Sequence, residues 1–307
     1  MFHHIVLLTD LSEVTKLSFS PLAAMAQVFG SRVTIFHAFR GSSELFYLDG
    51  EAARMRDVID EADRRRAMPA LETMQAELAA LGVQAEIVAR VGSTFDLAVD
   101  ALVELAADLA VVATQGLQDF TGRVLGSPTA RLLRDSRIPV LTVNEQFVDR
   151  HGQFHHFDRI VHPIDFSGAW QHTLGAGEEF AAEVGGKLEV VEIVQPVNNQ
   201  TLSTPEGEIL LPKDLQYQIR SKLQARLSDA AHTVTKVPAY WALVEDNKPG
   251  SAVMAYADRV EADLIVIHSI SRDHVRNTLL GSMAEHVIKH ARCPVLSVPD
   301  GWQFGAA

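Results

Sequence analysis

The chain has 307 residues, room for two domains of ordinary size, and 47% of them are hydrophobic, the fraction of a globular protein. Its 39 acidic and 27 basic residues give a formal charge of −12, which repels polyanions and argues against nucleic-acid or anionic-membrane partners. A single cysteine, Cys293, excludes an intrachain disulfide framework, and the N-terminus shows no apolar run of leader or membrane-spanning length, so a cytoplasmic location is expected.

In chain order, residues 5–9 form a short apolar run bounded by polar residues, read as a buried strand. Residues 12–29 carry apolar side chains at helical spacing (Val14, Leu17, Leu22, Met25, Val28) and stop at Gly30, a helix C-cap signal. Strands follow at 33–39, 83–91, 109–114 and 140–143. A helix-rich charged stretch over 51–81 contains Pro69, a kink or a junction, and a further helix runs from about Thr94 to Ala106. Strands alternating with helices imply parallel pairing through right-handed crossovers.

The same order then returns. Phe2 to Ser12 reappears as Phe157 to Ser167, Asp108 to Val112 as Asp263 to Ile267, Gly126-Ser127 as Gly281-Ser282, and Pro139-Val140-Leu141 as Pro294-Val295-Leu296. The second copy stands 155 positions after the first at each anchor, as Asp10 and Asp165 show. Its strands are expected at 160–164, 188–194, 237–244, 264–268 and 295–298, and its helices at 169–184, 215–231, 252–260 and 283–290. The expected fold is α/β: two tandem five-stranded parallel-sheet sandwiches with helices on both faces. Domain 1 covers 1–148, a polar histidine-rich linker 149–157, and domain 2 158–300. The segment 198–213, with two prolines, reads as a surface loop over the sheet edge.

Ligands of open parallel sheets bind beyond the carboxyl ends of the strands. That edge collects Asp10 and Asp165, each followed two positions later by serine, and the loops 114–125 and 269–280, each ending in Gly-Ser before a helix. Unpaired N–H groups at a helix start suit phosphate. The same residues also serve plain structure: Ser127-Pro128 is a good helix start, and Ser282 with Glu285 reads as a capping box.

These features resemble the universal stress protein family, twice over and across nearly the whole chain. The resemblance rests on the Asp-x-Ser turn, the Asp-Leu-(Ala/Ile)-Val strand, the Gly-Ser helix start and the final Pro-Val-Leu-x-Val strand. It implies an adenine-nucleotide alpha-hydrolase-like fold and a site for ATP, ADP or AMP. The matching positions in the first copy are Thr9, Asp10, Ala38, Ala113, Gly116, Gly126 and Ser127. In the second copy they are Asp165, Ile193, Gly281 and Ser282, with His268 and Ser271 where the pattern has glycine. Ala113 replaces one glycine of the first copy, and both leading glycines are missing from the second, so the first copy is the expected nucleotide site. Proline precedes the strand-end aspartate only in the second copy, at Pro163.

Three functions follow. The first is a nucleotide-responsive binding module; the second is a nucleotide-free interaction protein with degenerate sites; the third is a slow ATP hydrolase. No catalytic residues are assigned, because the loops offer no nucleophile, base and orienter together, and Asp119 is the sole acid of the first phosphate loop. The resemblance implies that the two halves pair through their final strands as a pseudo-dimer, and it leaves a homodimer open. No metal is expected: adjacent histidines such as His3-His4 point to opposite faces of a strand, and no second ligand set is read at helical i, i+4 spacing. Arg64-Arg65-Arg66, among acids, reads as a solvated helix face.

Overall fold

The computed structural model describes residues 2–39, 51–91, 94–114, 128–147, 149, 156–166, 170–197, 200–204, 207–269, 281–299 and 301–302. The described chain divides into two compact units, before and after residue 155.

The first unit runs β1 (His4–Thr9), a 3-10 segment (Glu13–Ser18), α1 (Phe19–Phe29), β2 (Arg32–Phe39), α2 (Glu51–Ala80), β3 (Ala85–Val91), α3 (Thr94–Glu104), β4 (Leu109–Thr114), α4 (Pro128–Asp135) and β5 (Val140–Asn144). All pairings are parallel, in the order β5-β4-β1-β2-β3. Both faces of such a sheet are covered, which is why β1 is buried at all six positions and its sequence is apolar rather than alternating. α1 ends at Gly30, whose φ of 62° is the left-handed conformation open to glycine at no steric cost; its N–H bonds Ala26 O.

The second unit runs β6 (Arg159–Ile164), α5 (Trp170–Val184), β7 (Lys187–Val194), β8 (Thr201–Thr204), β9 (Gly207–Leu210), α6 (Lys213–His232), β10 (Ala239–Glu245), α7 (Pro249–Arg259), β11 (Leu264–Ser269), α8 (Ser282–His290) and β12 (Val295–Pro299). Five of its strands form a parallel array in the order β10-β7-β6-β11-β12. The copies match in register: Ile5 lies beside Val33 and Leu109, and Ile160 beside Leu188 and Leu264. They match in backbone irregularity too. Leu11 and Phe166 take φ of 67° and 54°, Ala106 and Glu261 48° and 54°.

Three expectations change. The first helix opens as a 3-10 segment, with Thr15 N–H donating to Ser12 O, before the α-helix starts at Phe19. Pro69 lies inside a single helix of 30 residues rather than at a junction. The segment 198–213 is not a plain loop: β8 and β9 pair antiparallel, Thr201 beside Leu210.

Candidate functional site

In the first unit the carboxyl ends of β1, β2 and β4 open onto a cavity of about 190 Å³. It is lined by Leu8, Thr9, Asp10, Thr15, Phe36, Ala38, Ala98, Val112, Ala113, Thr129 and Leu132. Four residues singled out from sequence, Thr9, Asp10, Ala38 and Ala113, are thereby brought together. The other three, Gly116, Gly126 and Ser127, lie outside the described residues. Parallel pairing of three neighbouring strands is what aligns these positions, since each strand ends within a residue or two of its neighbour.

The turn after β1 is held internally. Thr9 Oγ1 accepts from Leu11 N–H at 2.9 Å and lies 3.1 Å from Thr15 Oγ1; Asp10 Oδ1 accepts from Ser12 N–H at 2.9 Å. His37 Nδ1 is 2.8 Å from Thr9 O, so the proton sits on Nδ1 and fixes the end of β1 against β2. These bonds hold Leu11 in its left-handed conformation, a strained state for a leucine that concentrates at ligand-facing turns. Asp10 is exposed while Thr9 and Thr15 are buried, so a carboxylate rims an otherwise uncharged pocket.

Leu8, Thr15, Phe36, Ala98, Val112, Thr129 and Leu132 were not foreseen as lining it. For Ala98 a signal existed: the second copy has Val253 there. The positions of Ala38, Ala98 and Ala113 are filled in the second unit by Ile193, Val253 and His268, each larger. Val253 is fully buried.

The second unit's sheet edge is also electrostatically different. Glu192, one residue before Ile193, is buried and bonded through Oε1 to Arg226 Nη2 of α6, while its Oε2 has no partner. Burial pushes its carboxyl above the usual range; the Arg226 charge opposes this and Asp165 adds to it. The Arg226 guanidinium stacks 4.1 Å from the centroid of Phe166, whose ring meets Trp170 edge-on at 4.9 Å. The two glutamates, Glu189 and Glu192, inside the otherwise apolar strand Leu188-Glu189-Val190-Val191-Glu192-Ile193-Val194 were the available signal for such pairs.

Gly281 and Ser282 sit at the start of α8, but not as a capping box. Gly281 is the cap residue and no side chain caps the helix; Glu285 bonds Lys289. The i, i+4 expectation for histidine is likewise corrected, because His286 and His290 stand one turn apart on α8 with ring centroids at 4.8 Å. Among the described residues no group of three or more His, Cys, Asp or Glu could hold a metal ion. His3 is exposed while His4 is buried, its Nδ1 2.7 Å from Leu105 O and its Nε2 2.8 Å from Thr34 Oγ1. Arg65 and Arg66 are mostly exposed and pair locally with Glu61 and Asp63.

The model of the Universal stress protein family matches residues 1–144 and again 156–299. The chain belongs to the universal stress protein family. It is 30% identical over 152 residues to a universal stress protein of Methanocaldococcus jannaschii, covering 46% of this chain and 82% of that one. It is also 30% identical over 142 residues to one of Thermus aquaticus, covering 46% of this chain and 98% of the relative. In fold it is similar to the crystal structure of a universal stress protein from Archaeoglobus fulgidus, with a TM-score of 0.70, 18% identity and coverage of 97% of this chain and 98% of that one. This universal stress protein therefore carries two family domains, each with the family's α/β fold. None of its described helices is long and apolar enough to cross a membrane.

Proposed function

We propose that the first unit is an adenine-nucleotide site, for ATP, ADP or AMP, and that its occupancy governs which partners this stress-response protein engages. The observation that carries this reading is the cavity of about 190 Å³ in which Thr9, Asp10, Ala38 and Ala113 converge at the carboxyl edge of the sheet. That volume is below the roughly 300–1,000 Å³ of pockets that enclose a whole drug-sized ligand. It suits a planar base, bedded between Phe36, Val112 and the three alanines, with the Asp10 carboxylate positioned to accept from an exocyclic amine. Ribose and phosphates are assigned by the family resemblance to Ala113 and the following segment with Gly116, Gly126 and Ser127. The sequence of the loop 114–125 offers no base and no metal-binding carboxylate pair, so binding rather than turnover is the proposed activity.

The test is a thermal shift with native mass spectrometry. A ligand at 100 times its Kd stabilises the native state by about 2.7 kcal/mol, a shift of several degrees in Tm. Ala113→His, which puts the second copy's residue into the first, is expected to remove both the shift and any retained nucleotide. An unchanged shift in that variant, or none in the native chain, refutes the reading.

A second reading, nucleotide-free, is favoured for the second unit by the three larger side chains Ile193, Val253 and His268 and by the Glu192–Arg226 pair. The association of the halves through their final strands, β5 and β12, is a further proposal: after proteolytic nicking within 149–157, the halves are expected to co-elute on gel filtration. Separate elution overturns it.

A further inference from the structure

β10 is the outer strand of the second unit's parallel array, paired along its length with β7 and with no other described strand. Leu188 N–H donates to Pro238 O and Asp246 N–H to Val194 O, so the even-numbered positions turn their backbone groups toward β7. Bonding residues alternate in such a ladder. The N–H and C=O of Ala239, Trp241, Leu243 and Glu245 therefore point outward, away from the sheet.

The first copy provides an internal control. Ala85 lies beside Val33 as Ala239 lies beside Leu188, which aligns β3 with β10 residue by residue. β3 is guarded by charge: it carries Glu86 and Arg90, and Arg90 Nη1 lies 2.6 Å from Glu104 Oε2. Charges on an outer strand are the usual defence against edge-to-edge pairing. β10 has Tyr240 and Val244 at those two positions and Trp241 in place of Ile87. From Ala239 to Val244 it contains no charge and no proline, and Tyr240 and Trp241 are 50% and 40% exposed.

We propose that β10 is a self-association edge, on which the β10 of a second copy of this chain docks antiparallel about a two-fold axis at Ala242. In this register the outward groups meet one another: Ala239 faces Glu245 and Trp241 faces Leu243, each pair exchanging two bonds, about eight in all. Tyr240 lies across from Val244 on one face and Trp241 across from Leu243 on the other, aromatic against aliphatic. Only the small Ala242 meets itself on the axis. No like charges stand opposite within the ladder, which an arbitrary peptide would not guarantee and which the chain's own sequence does. Seven residues at about 3.3 Å each give an edge of roughly 23 Å, which at a sheet thickness of about 10 Å offers roughly 230 Å² of contact, well short of the roughly 800 Å² per partner of a standard interface. The dimer is therefore weak and concentration-dependent, and it tightens with salt, because each copy carries a net charge of −12.

Sedimentation velocity on the full chain from about 1 to about 300 µM, the range suited to so small an interface, tests this. The native chain shifts toward dimer, and the Tyr240→Glu/Val244→Arg variant, which gives β10 charges at the positions β3 guards, stays monomeric throughout. Amide exchange on the native chain reads the same edge independently of how that variant folds: Trp241 and Leu243 slow as concentration rises. A native chain that stays monomeric, or that engages only another protein at this edge, overturns the proposal. So does a variant that dimerises as the native chain does, or a dimer that leaves those two amides unprotected.

Discussion

His162 makes the second unit sensitive to acid. It sits on β6 at 1% exposure, its Nδ1–H donating to Val266 O at 3.0 Å, and its Nε2 is buried with no partner. Burial holds its pKa down to about 4 from 6.5, with His268 adding to the effect and the Val266 carbonyl opposing it. The unfolded chain takes up a proton near pH 6.5 while the native state resists it to about pH 4, so the stability is whole above 6.5 and drains away between 6.5 and 4. At 1.36 kcal/mol per pH unit per proton, the loss amounts to about 3 kcal/mol. The perturbation is His162→Leu, the residue the first copy carries as Leu7. Urea unfolding followed by tryptophan fluorescence is the assay, since Trp170, Trp241 and Trp302 all lie in the second half and report on it alone. Between pH 7 and pH 4 the native protein is expected to lose about 3 kcal/mol more than the variant. Parallel pH profiles would show that the buried imidazole is not the acid-labile group.

Arg226→Leu leaves Glu192 buried without its cation; because Arg226 is itself nearly half exposed, the expected loss is about 2–4 kcal/mol, below the full cost of breaking a buried pair. Thermal unfolding measures it, and the Arg226→Leu/Glu192→Leu double variant recovers most of the loss. Tyr256→Phe removes the hydroxyl that donates to Glu189 Oε2 at 2.8 Å inside the second unit, costing about 1–3 kcal/mol in urea unfolding. Gly186→Ala places a Cβ 2.3 Å from Phe157 O and 2.8 Å from Ile160 Cδ1; a backbone oxygen cannot swing aside, so a loss of at least about 1–3 kcal/mol is expected in the same measurement.

What could be read in the sequence is what the backbone decides locally. Ile5-Val6-Leu7-Leu8 and its counterpart Ile160-Val161-His162 announce buried parallel strands, and Gly30 marks the helix end by the conformation it must adopt. The hairpin Thr201–Leu210 was less legible, because its strands of four residues each carry no long alternation and no Asn-Gly or Asp-Gly turn. Nor could the capping role be settled at 281–282, where Ser282 matched the capping-box pattern while Gly281 takes the cap position. In the site, Asp10 follows from the sheet-edge rule and Ala38 from the family resemblance, but Thr15 and Leu132 enter the cavity only through the packing of helical segments that no local pattern specifies.

The internal comparison explains why the halves can share a scaffold and differ in what they do. At the closed end of the sheet the two copies keep a paired interaction while changing its chemistry: His4 Nε2 meets Thr34 Oγ1 at 2.8 Å, and Arg159 Nε lies 3.8 Å from Glu189 Oε1 at the same positions. Each also binds the same carbonyl, His4 at Leu105 O and Arg159 at Val260 O. Those substitutions are compensated, as a packed core requires. The substitutions at the carboxyl edge are of another kind. Ala38, Ala98 and Ala113 become Ile193, Val253 and His268, side chains added where the first unit has a cavity, and Glu86 and Arg90 of β3 become Tyr240 and Val244 of β10, charge removed from an outer strand. Neither change swaps one bonded pair for another: Val253, fully buried, packs into space that the first unit leaves open, and at Tyr240 and Val244 the charges of Glu86 and Arg90 are gone, and with them the Arg90–Glu104 pair. Both alter what the surface can accept, which is where a duplicated domain is free to acquire a separate role.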